Sequence, residues 1–199
     1  IEWEIGPSLP VGFQDSAFAK LGDQLVSIQG FSDRIENASV GRYLEGGFAL
    51  RPNQSGATWI TLAPSNGFSL AARQGSASAV LGNSLYVFGG FNRERSLADV
   101  FRVSKDGEVL KWEALPVNLP TPVAGASAVT VGEKIYILGG ASYSGAAGYL
   151  NYQKTSSGAR LGQRLLAFDP AQINNGFHEL RPLPGSPRFI HATVAIGRK

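Results

Sequence analysis

The 199-residue chain has a formal net charge of +3, with 25 glycines, 11 prolines, no cysteine, no methionine and two histidines, His178 and His191. Its lysines and arginines are scattered singly, without the basic stripe that a phosphate backbone requires, so nucleic acid is not an expected partner. Lack of cysteine removes disulfides and thiolate chemistry, two histidines cannot build a multi-histidine centre, and no apolar run approaches the roughly 20 residues of a membrane-spanning helix; neither metal, cofactor nor membrane is expected.

In chain order, residues 1–10 contain Trp3 and close on Leu9-Pro10, the pattern of an outer β-strand stopped by proline. The chain begins at Ile1 without a basic-then-apolar signal segment, and with no methionine anywhere, processing or truncation at this end is expected. From residue 11 the strand Phe18-Ala19-Lys20-Leu21 enters a Gly22-Asp23 turn and returns as Leu25-Val26-Ser27-Ile28-Gln29-Gly30. The unit then passes Trp59 and ends at Ala63-Pro64.

The next unit repeats that order more fully. Ala79-Val80-Leu81 leads into Gly82-Asn83, then Leu85-Tyr86-Val87-Phe88-Gly89-Gly90, a further strand at Asp99-Val100-Phe101-Arg102-Val103, Trp112, and Leu115-Pro116. A third copy runs from Val129-Thr130-Val131 through Gly132-Glu133 and Ile135-Tyr136-Ile137-Leu138-Gly139-Gly140 to Leu165-Leu166-Ala167-Phe168-Asp169. Phe177 takes the place of the tryptophan, and Leu183-Pro184 closes it. A last Val194-Ala195-Ile196 enters Gly197-Arg198. Glycine followed by a polar residue is the signature of a two-residue hairpin, so each flanking pair of strands is predicted to be antiparallel neighbours. Small residues on the first strand of each pair suit a tapering centre, and proline at the end of each unit stiffens the crossing to the next.

A period of roughly 50 to 65 residues with four strands in each resembles the kelch repeat, and the Gly-Gly doublets, spaced tryptophans and Leu-Pro steps carry that resemblance over nearly the whole chain. It implies an all-β, kelch-type β-propeller. The expected organisation is an outer-strand remnant at 1–10, blades at 11–64, 65–116 and 117–184, and the inner strand of a fourth within 185–199. Propellers close with about four to eight blades, so the ring is expected to be completed by further blades or by a second chain. Further blades are the preferred reading, because a half-ring leaves strand edges unpaired.

In such blades the loop leading into the first strand and the loop between strands two and three open on one face, the mouth of the central channel. Ahead of the first strands stand Gln14 and Asp15, Arg73 and Gln74, and Arg188, with Val123 breaking the pattern. Arg73 and Arg188 either fork onto a ligand carboxylate or phosphate or bond neighbouring loop carbonyls. Asn92-Arg93-Glu94-Arg95 is read either as an anion-binding loop, with Glu94 a poor proton donor, or as a solvated loop holding an internal ion pair. The longest loop, from Ala141 to about Gly162, holds Tyr143, Tyr149, Asn151, Tyr152, Gln153 and Lys154. Long loops without structure of their own are usually functional or disordered, and its tyrosines suit either a sugar lid or packing against adjacent blades. His178 is expected at the surface, and His191 either faces the channel or sits satisfied in the core. The glycine-rich stretch from Gly139 to Gly145 lacks the Gly-Lys-Ser/Thr ending and the helix of a phosphate loop. Asn37-Ala38-Ser39 and Asn53-Gln54-Ser55 fit the glycosylation acceptor pattern.

Leu9-Pro10, the weak Gly30 repeat, Ala72-Arg73-Gln74 before the Gly89-Gly90 strand, Asp99-Val100, the insertion after Gly139-Gly140 and Leu165-Leu166-Ala167-Phe168-Asp169-Pro170 resemble the N-terminal half of the bacterial N-acetylneuraminate epimerase (sialic-acid mutarotase) family. The resemblance implies interconversion of sugar anomers, a sialic-acid ligand and a periplasmic or secreted location. It places the family's catalytic Glu and Arg beyond Lys199. Arg73, Arg188 and the Tyr149, Asn151 and Tyr152 loop are what it carries over as substrate contacts. Two other classes share the fold: a non-catalytic kelch module binding protein or glycan, and a galactose-oxidase-like copper enzyme. The copper enzyme's Tyr-Cys crosslink could come only from blades outside this chain.

Overall fold

A computed structural model describes residues 5–34, 42–65, 67–107, 109–144 and 149–197. Trp3 and the Asn37-Ala38-Ser39 acceptor pattern lie outside these residues, as does Gly145. Three four-stranded antiparallel sheets follow one another along the chain, each a blade, and together they form part of a kelch-type β-propeller.

The first blade contains β1 (Ala17–Leu21), β2 (Gln24–Ile28), β3 (Gly47–Leu50) and β4 (Ile60–Leu62). The second contains β5 (Ala77–Leu81), β6 (Ser84–Phe88), β7 (Asp99–Asp106) and β8 (Val109–Asn118). The third contains β9 (Ser127–Val131), β10 (Lys134–Leu138), β13 (Leu165–Phe168) and β14 (Phe177–Glu179), and is interrupted by a small hairpin of β11 (Ser142–Ser144) and β12 (Tyr149–Asn151). Every inner pair is joined through a glycine with φ near 60°, namely Gly22, Gly82 and Gly132, followed by a residue of negative φ. That is the II′ arrangement, whose twist matches the strands it joins.

The alternation along β6 explains how the blades stack. Leu85 and Val87 turn toward the first blade, joining Ala17, Leu21, Val26, Ile28, Phe101, Val103 and Trp112. Tyr86 and Phe88 turn toward the third, joining Ala77, Ala79, Val100, Ile135, Ile137, Leu166 and Phe168. A central blade has no solvent face, so the strand reads as an unbroken apolar run. Aromatic rings fill the wider outer part, where Phe168 stacks on Phe177 at 5.0 Å and Phe68 meets both Phe101 and Trp112 edge-on.

Three details differ from the sequence reading. The proline of Leu115-Pro116 does not end its strand, because β8 continues to Asn118 along an outer edge, where a missing N–H has no neighbour to disappoint. The long loop is not structureless: besides its hairpin it carries a single 3-10 turn at Leu161–Gln163. Residues 189–196 form no ladder among the described residues, and only Ile190 N–H reaches the third blade, on the Gly125 carbonyl at 2.7 Å.

The blades are also sewn together by main chain. The second residue of each doublet donates to the next blade: Gly30 to Arg73 O at 2.9 Å, Gly90 to Val123 O at 2.8 Å, and Gly140 to Arg188 O at 3.0 Å. Two residues further on, Gly75 donates to Asp15 O, Gly125 to Gly75 O and Ile190 to Gly125 O, at 2.7–2.9 Å. All four residues of this belt have left-handed backbones, φ 50° to 61°. Glycine adopts that conformation without cost, whereas Asp15 and especially the β-branched Ile190 hold it under strain.

Candidate functional site

The belt runs along the channel mouth, and a cleft of about 500 Å³ opens on it. Two successive positions of each blade build its polar side. Asp15, Gly75, Gly125 and Ile190 supply the belt, and the next residues, Ser16, Ser76, Ala126 and His191, all line the same cleft. Phe91, which follows the second doublet, faces Tyr143 of β11 with ring centroids 5.0 Å apart, and with Phe189 these rings form an aromatic wall. The site therefore offers one carboxylate, serine hydroxyls, an imidazole and aromatic faces around a glycine floor. Such a mixture takes a ligand with both hydroxyls and apolar faces.

The structure does not gather the sequence candidates into this cleft as a group. Arg73 is 1% exposed and lies inside the second blade: Nε donates to Ala71 O at 2.9 Å, Nη1 to Gly89 O at 3.2 Å, and the fork closes on both Asp99 oxygens at 2.5 and 2.8 Å. Its guanidinium also lies 5.5 Å from the centre of the Phe101 ring. A guanidinium with these partners organises the loops of its own blade, the second of the two roles that the sequence offers it. Arg188 is exposed and donates through Nη2 to Pro184 O at 2.6 Å, outside the cleft lining. Arg93 and Glu94 are exposed on a loop turned by Asn92, whose Oδ1 accepts from the Glu94 and Arg95 N–H groups at 2.9 and 3.1 Å.

Tyr149 opens β12 with its backbone paired to Ser144, and Asn151 is exposed at the other end of the same strand. Tyr152 is half-buried edge-on against Phe189 at 5.9 Å, so it braces the aromatic wall from behind. Tyr143, Asp15 and His191, all noted from sequence, do line the cleft. Ser16, Ser76, Phe91, Phe189 and Ile190 escape a sequence reading. The signal that finds them is the register set by Arg73, Val123 and Arg188: the belt lies two residues later and the hydroxyl row three.

Electrostatics mark two spots outside the cleft lining. Tyr43, buried beneath the loop face, has its phenol pushed up by desolvation and by Tyr143, against the pull of Arg93 and a hydrogen bond with Gln74. On the outer side of the third blade, burial tends to raise Glu179. Hydrogen bonds from Ser156, Thr155 and Ser157 and the charge of Arg164 outweigh it and hold the carboxyl below its ordinary value. That cluster ties the long insertion to β14. His178 is exposed on β14, opposite Ala167. Among the described residues no group of three or more His, Cys, Asp or Glu could hold a metal ion, and no helix is long and apolar enough to cross a membrane.

The sequence profile of N-acetylneuraminate epimerase matches residues 6–164, taking in the first two blades and the third as far as the turn before β13. The chain belongs to the N-acetylneuraminate epimerase family. N-acetylneuraminate epimerases of Haemophilus influenzae strains PittEE and 86-028NP are each 27% identical over 144 residues, spanning 69% of this chain and 34% of the relative. The solved structure of YjhT matches with a TM-score of 0.66 and 20% identity over 92% of this chain and 55% of its own, a likeness of fold. The chain thus spans a third of the length of its curated epimerase relatives and about half that of the solved structure. Family and fold together make it a sialic-acid-mutarotase-like propeller.

Proposed function

We propose that this chain forms the sugar-recognising side of an N-acetylneuraminate mutarotase, with the family's catalytic Glu and Arg supplied beyond Lys199. The observation that carries the reading is the composition of the channel-mouth cleft: Asp15, Ser16 and Ser76 beside Phe91, Tyr143 and Phe189. A sugar presents hydroxyls at its edge and C–H groups on its faces, and these two sets of residues suit one surface each.

Mutarotation requires that the anomeric hydroxyl lose its proton as the bond between the anomeric carbon and the ring oxygen breaks, and that the ring oxygen gain one. The open chain then recloses on the other face of the regenerated carbonyl, with the proton transfers reversed. The task of this chain is to hold the sugar so that these atoms meet the acid and base. Phe91 and Tyr143 back the ring, and the Asp15 carboxylate accepts from hydroxyls remote from the anomeric carbon. Arg93 and Arg188, exposed and outside the cleft lining, are the cations proposed to reach the sugar carboxylate. A location outside the cytoplasm belongs to the same proposal and rests on the family alone.

The test is nuclear magnetic resonance exchange between the anomers of N-acetylneuraminate, run with the complete protein and with Asp15→Asn and Tyr143→Ala. Accelerated exchange that either change cuts by about tenfold supports the reading. Spontaneous-rate exchange with the unaltered complete protein sinks it. Saturable sugar binding without acceleration would mark a binding module instead.

A further inference from the structure

Two rings of the aromatic wall come from different blades. Phe91 follows the second doublet, and Tyr143 is the middle residue of β11 in the third-blade insertion. Their backbones meet at Ser96, which is 4% exposed. On one side Ser96 is bridged to Phe91 across a tight turn, closed by Asn92 N–H on Arg95 O at 3.1 Å and Leu97 N–H on Gly90 O at 2.8 Å. On the other side its N–H donates to Tyr143 O at 2.9 Å, while its Oγ accepts from Tyr143 N–H at 2.6 Å. A hydroxyl here does what a carbonyl does in an ordinary ladder, so the pairing depends on the side chain at position 96. Arg95 bridges Ser144 one step along, and Tyr143 pairs on its far side with Leu150 of β12. Phe91, Ser96, Tyr143 and Leu150 thus form one strip running from the second blade into the insertion. The start of β11 is held separately, by Ala141 N–H on Ala124 O at 3.0 Å and by Ser142 Oγ donating to Pro122 O at 2.8 Å, both in the segment that leads into β9.

We propose that Ser96 is a positioning residue for the sugar, its hydroxyl and N–H fixing Tyr143 in the place beside Phe91 that the ligand meets. This rests on the sugar reading given above and deepens it, because it names a residue that shapes the stacking surface without touching the ligand. Phe91 and Tyr143 line the cleft with their rings 5.0 Å apart and tilted by 54°. A sugar face packs on both only while they keep that placement, and Ser96 is where the second blade takes hold of the Tyr143 main chain. Loss of Oγ leaves the Tyr143 N–H without its acceptor and loosens β11 against the blade that carries Phe91.

The test is a double-mutant cycle in the complete protein, with Ser96→Ala, Tyr143→Ala and the pair, read by anomer exchange of N-acetylneuraminate over a range of sugar concentrations. Ser96→Ala removes a single oxygen and should raise KM by about fivefold while kcat stays within about twofold, since the acid and base are unaltered. In a chain that already carries Tyr143→Ala it should add less than about 1.5-fold, because no ring is left to place. Hydrogen exchange reads the contact itself: the amide of residue 143 should exchange about tenfold faster in Ser96→Ala, with the β9 and β10 amides unchanged. A full fivefold effect in the Tyr143→Ala background would mean that Ser96 acts on the structure at large and would overturn the inference. So would an unchanged KM, or an unchanged amide at 143, in Ser96→Ala when Tyr143→Ala alone still raises KM; in each of these cases the sugar reading stands. If Tyr143→Ala leaves KM unaltered, or the unaltered complete protein does not accelerate exchange, the sugar reading falls and this inference with it.

Discussion

Asp99→Ala tests whether Arg73 belongs to the scaffold or to the ligand. The substitution strips two carboxylate contacts, at 2.5 and 2.8 Å, from a guanidinium that is 1% exposed, leaving it only the Ala71 and Gly89 carbonyls and the Phe101 face. Removing one partner of a buried pair costs about 3 to 5 kcal/mol. The Asp99 side chain is 25% exposed, so water reaches the vacated position and the lower end, about 3 kcal/mol, is expected. Arg73→Met keeps an unbranched stem on Phe101 and strands a carboxylate that solvent can partly reach, for about 2 kcal/mol. The double variant should cost little more than Arg73→Met alone, since Asp99 has then lost the charge it serves. In urea unfolding followed by tryptophan fluorescence, with a slope of about 2 kcal/mol per molar, Asp99→Ala should lower the midpoint by about 1.5 M. Strictly additive effects, or a midpoint shift below about 0.3 M, would refute the structural assignment. Loss of sugar binding by a folded Arg73→Met chain would return Arg73 to the ligand.

Gln29 occupies the first position of the degenerate doublet with φ 56° and is 2% exposed; among the described residues its Oε1 has no partner and its Nε2 makes only a 3.5 Å contact with Ala71 O, so Gln29→Gly should raise stability by about 1 kcal/mol in the same urea assay. Gly140→Ala and Gly132→Ala separate backbone strain from crowding. An added Cβ at Gly140 would overlap Val123 Cγ2 and stand 3.0 Å from the Ala124 carbonyl, for a loss of about 3 kcal/mol or more, whereas at Gly132 it meets nothing within 4 Å and costs about 1. Acid should act in two stages. His191 is held below 6.5 in the folded chain, so its contribution is complete above that pH and is lost as pH falls toward the depressed folded value; His191→Gln removes this stage from a plot of thermal midpoint against pH. Glu179 is held below 4.5 and stabilises above that value, so its share disappears as pH falls through the lower folded value, and Glu179→Gln flattens that second stage.

The blades were readable because their determinants are local. Gly22, Gly82 and Gly132 impose a turn whatever surrounds them, and the Leu85 to Phe88 run is apolar because neighbouring blades cover both of its faces. The cleft was less legible because it is defined by register across blades. Arg73 and Asp15 both precede an inner strand, yet the first position turns inward and the second outward, and only the belt bonds show that they are two residues out of step. Arg73 could not be separated from a ligand-binding arginine without knowing that Asp99, 26 residues later, lies beside it. Asn151 and Tyr152 were grouped by a shared loop, but the β11–β12 hairpin leaves one exposed and sets the other behind Phe189.

The belt has a direction. In every link the later blade supplies the N–H and the earlier blade the waiting carbonyl, from Asp15 through Gly75 and Gly125 to Ile190. During synthesis the earlier blade leaves the ribosome first, so each new segment finds a belt carbonyl and, at the preceding doublet, an N–H already in place. The channel rim is thereby laid down in the order in which it is translated, and a ligand site shared among blades is assembled one wall at a time.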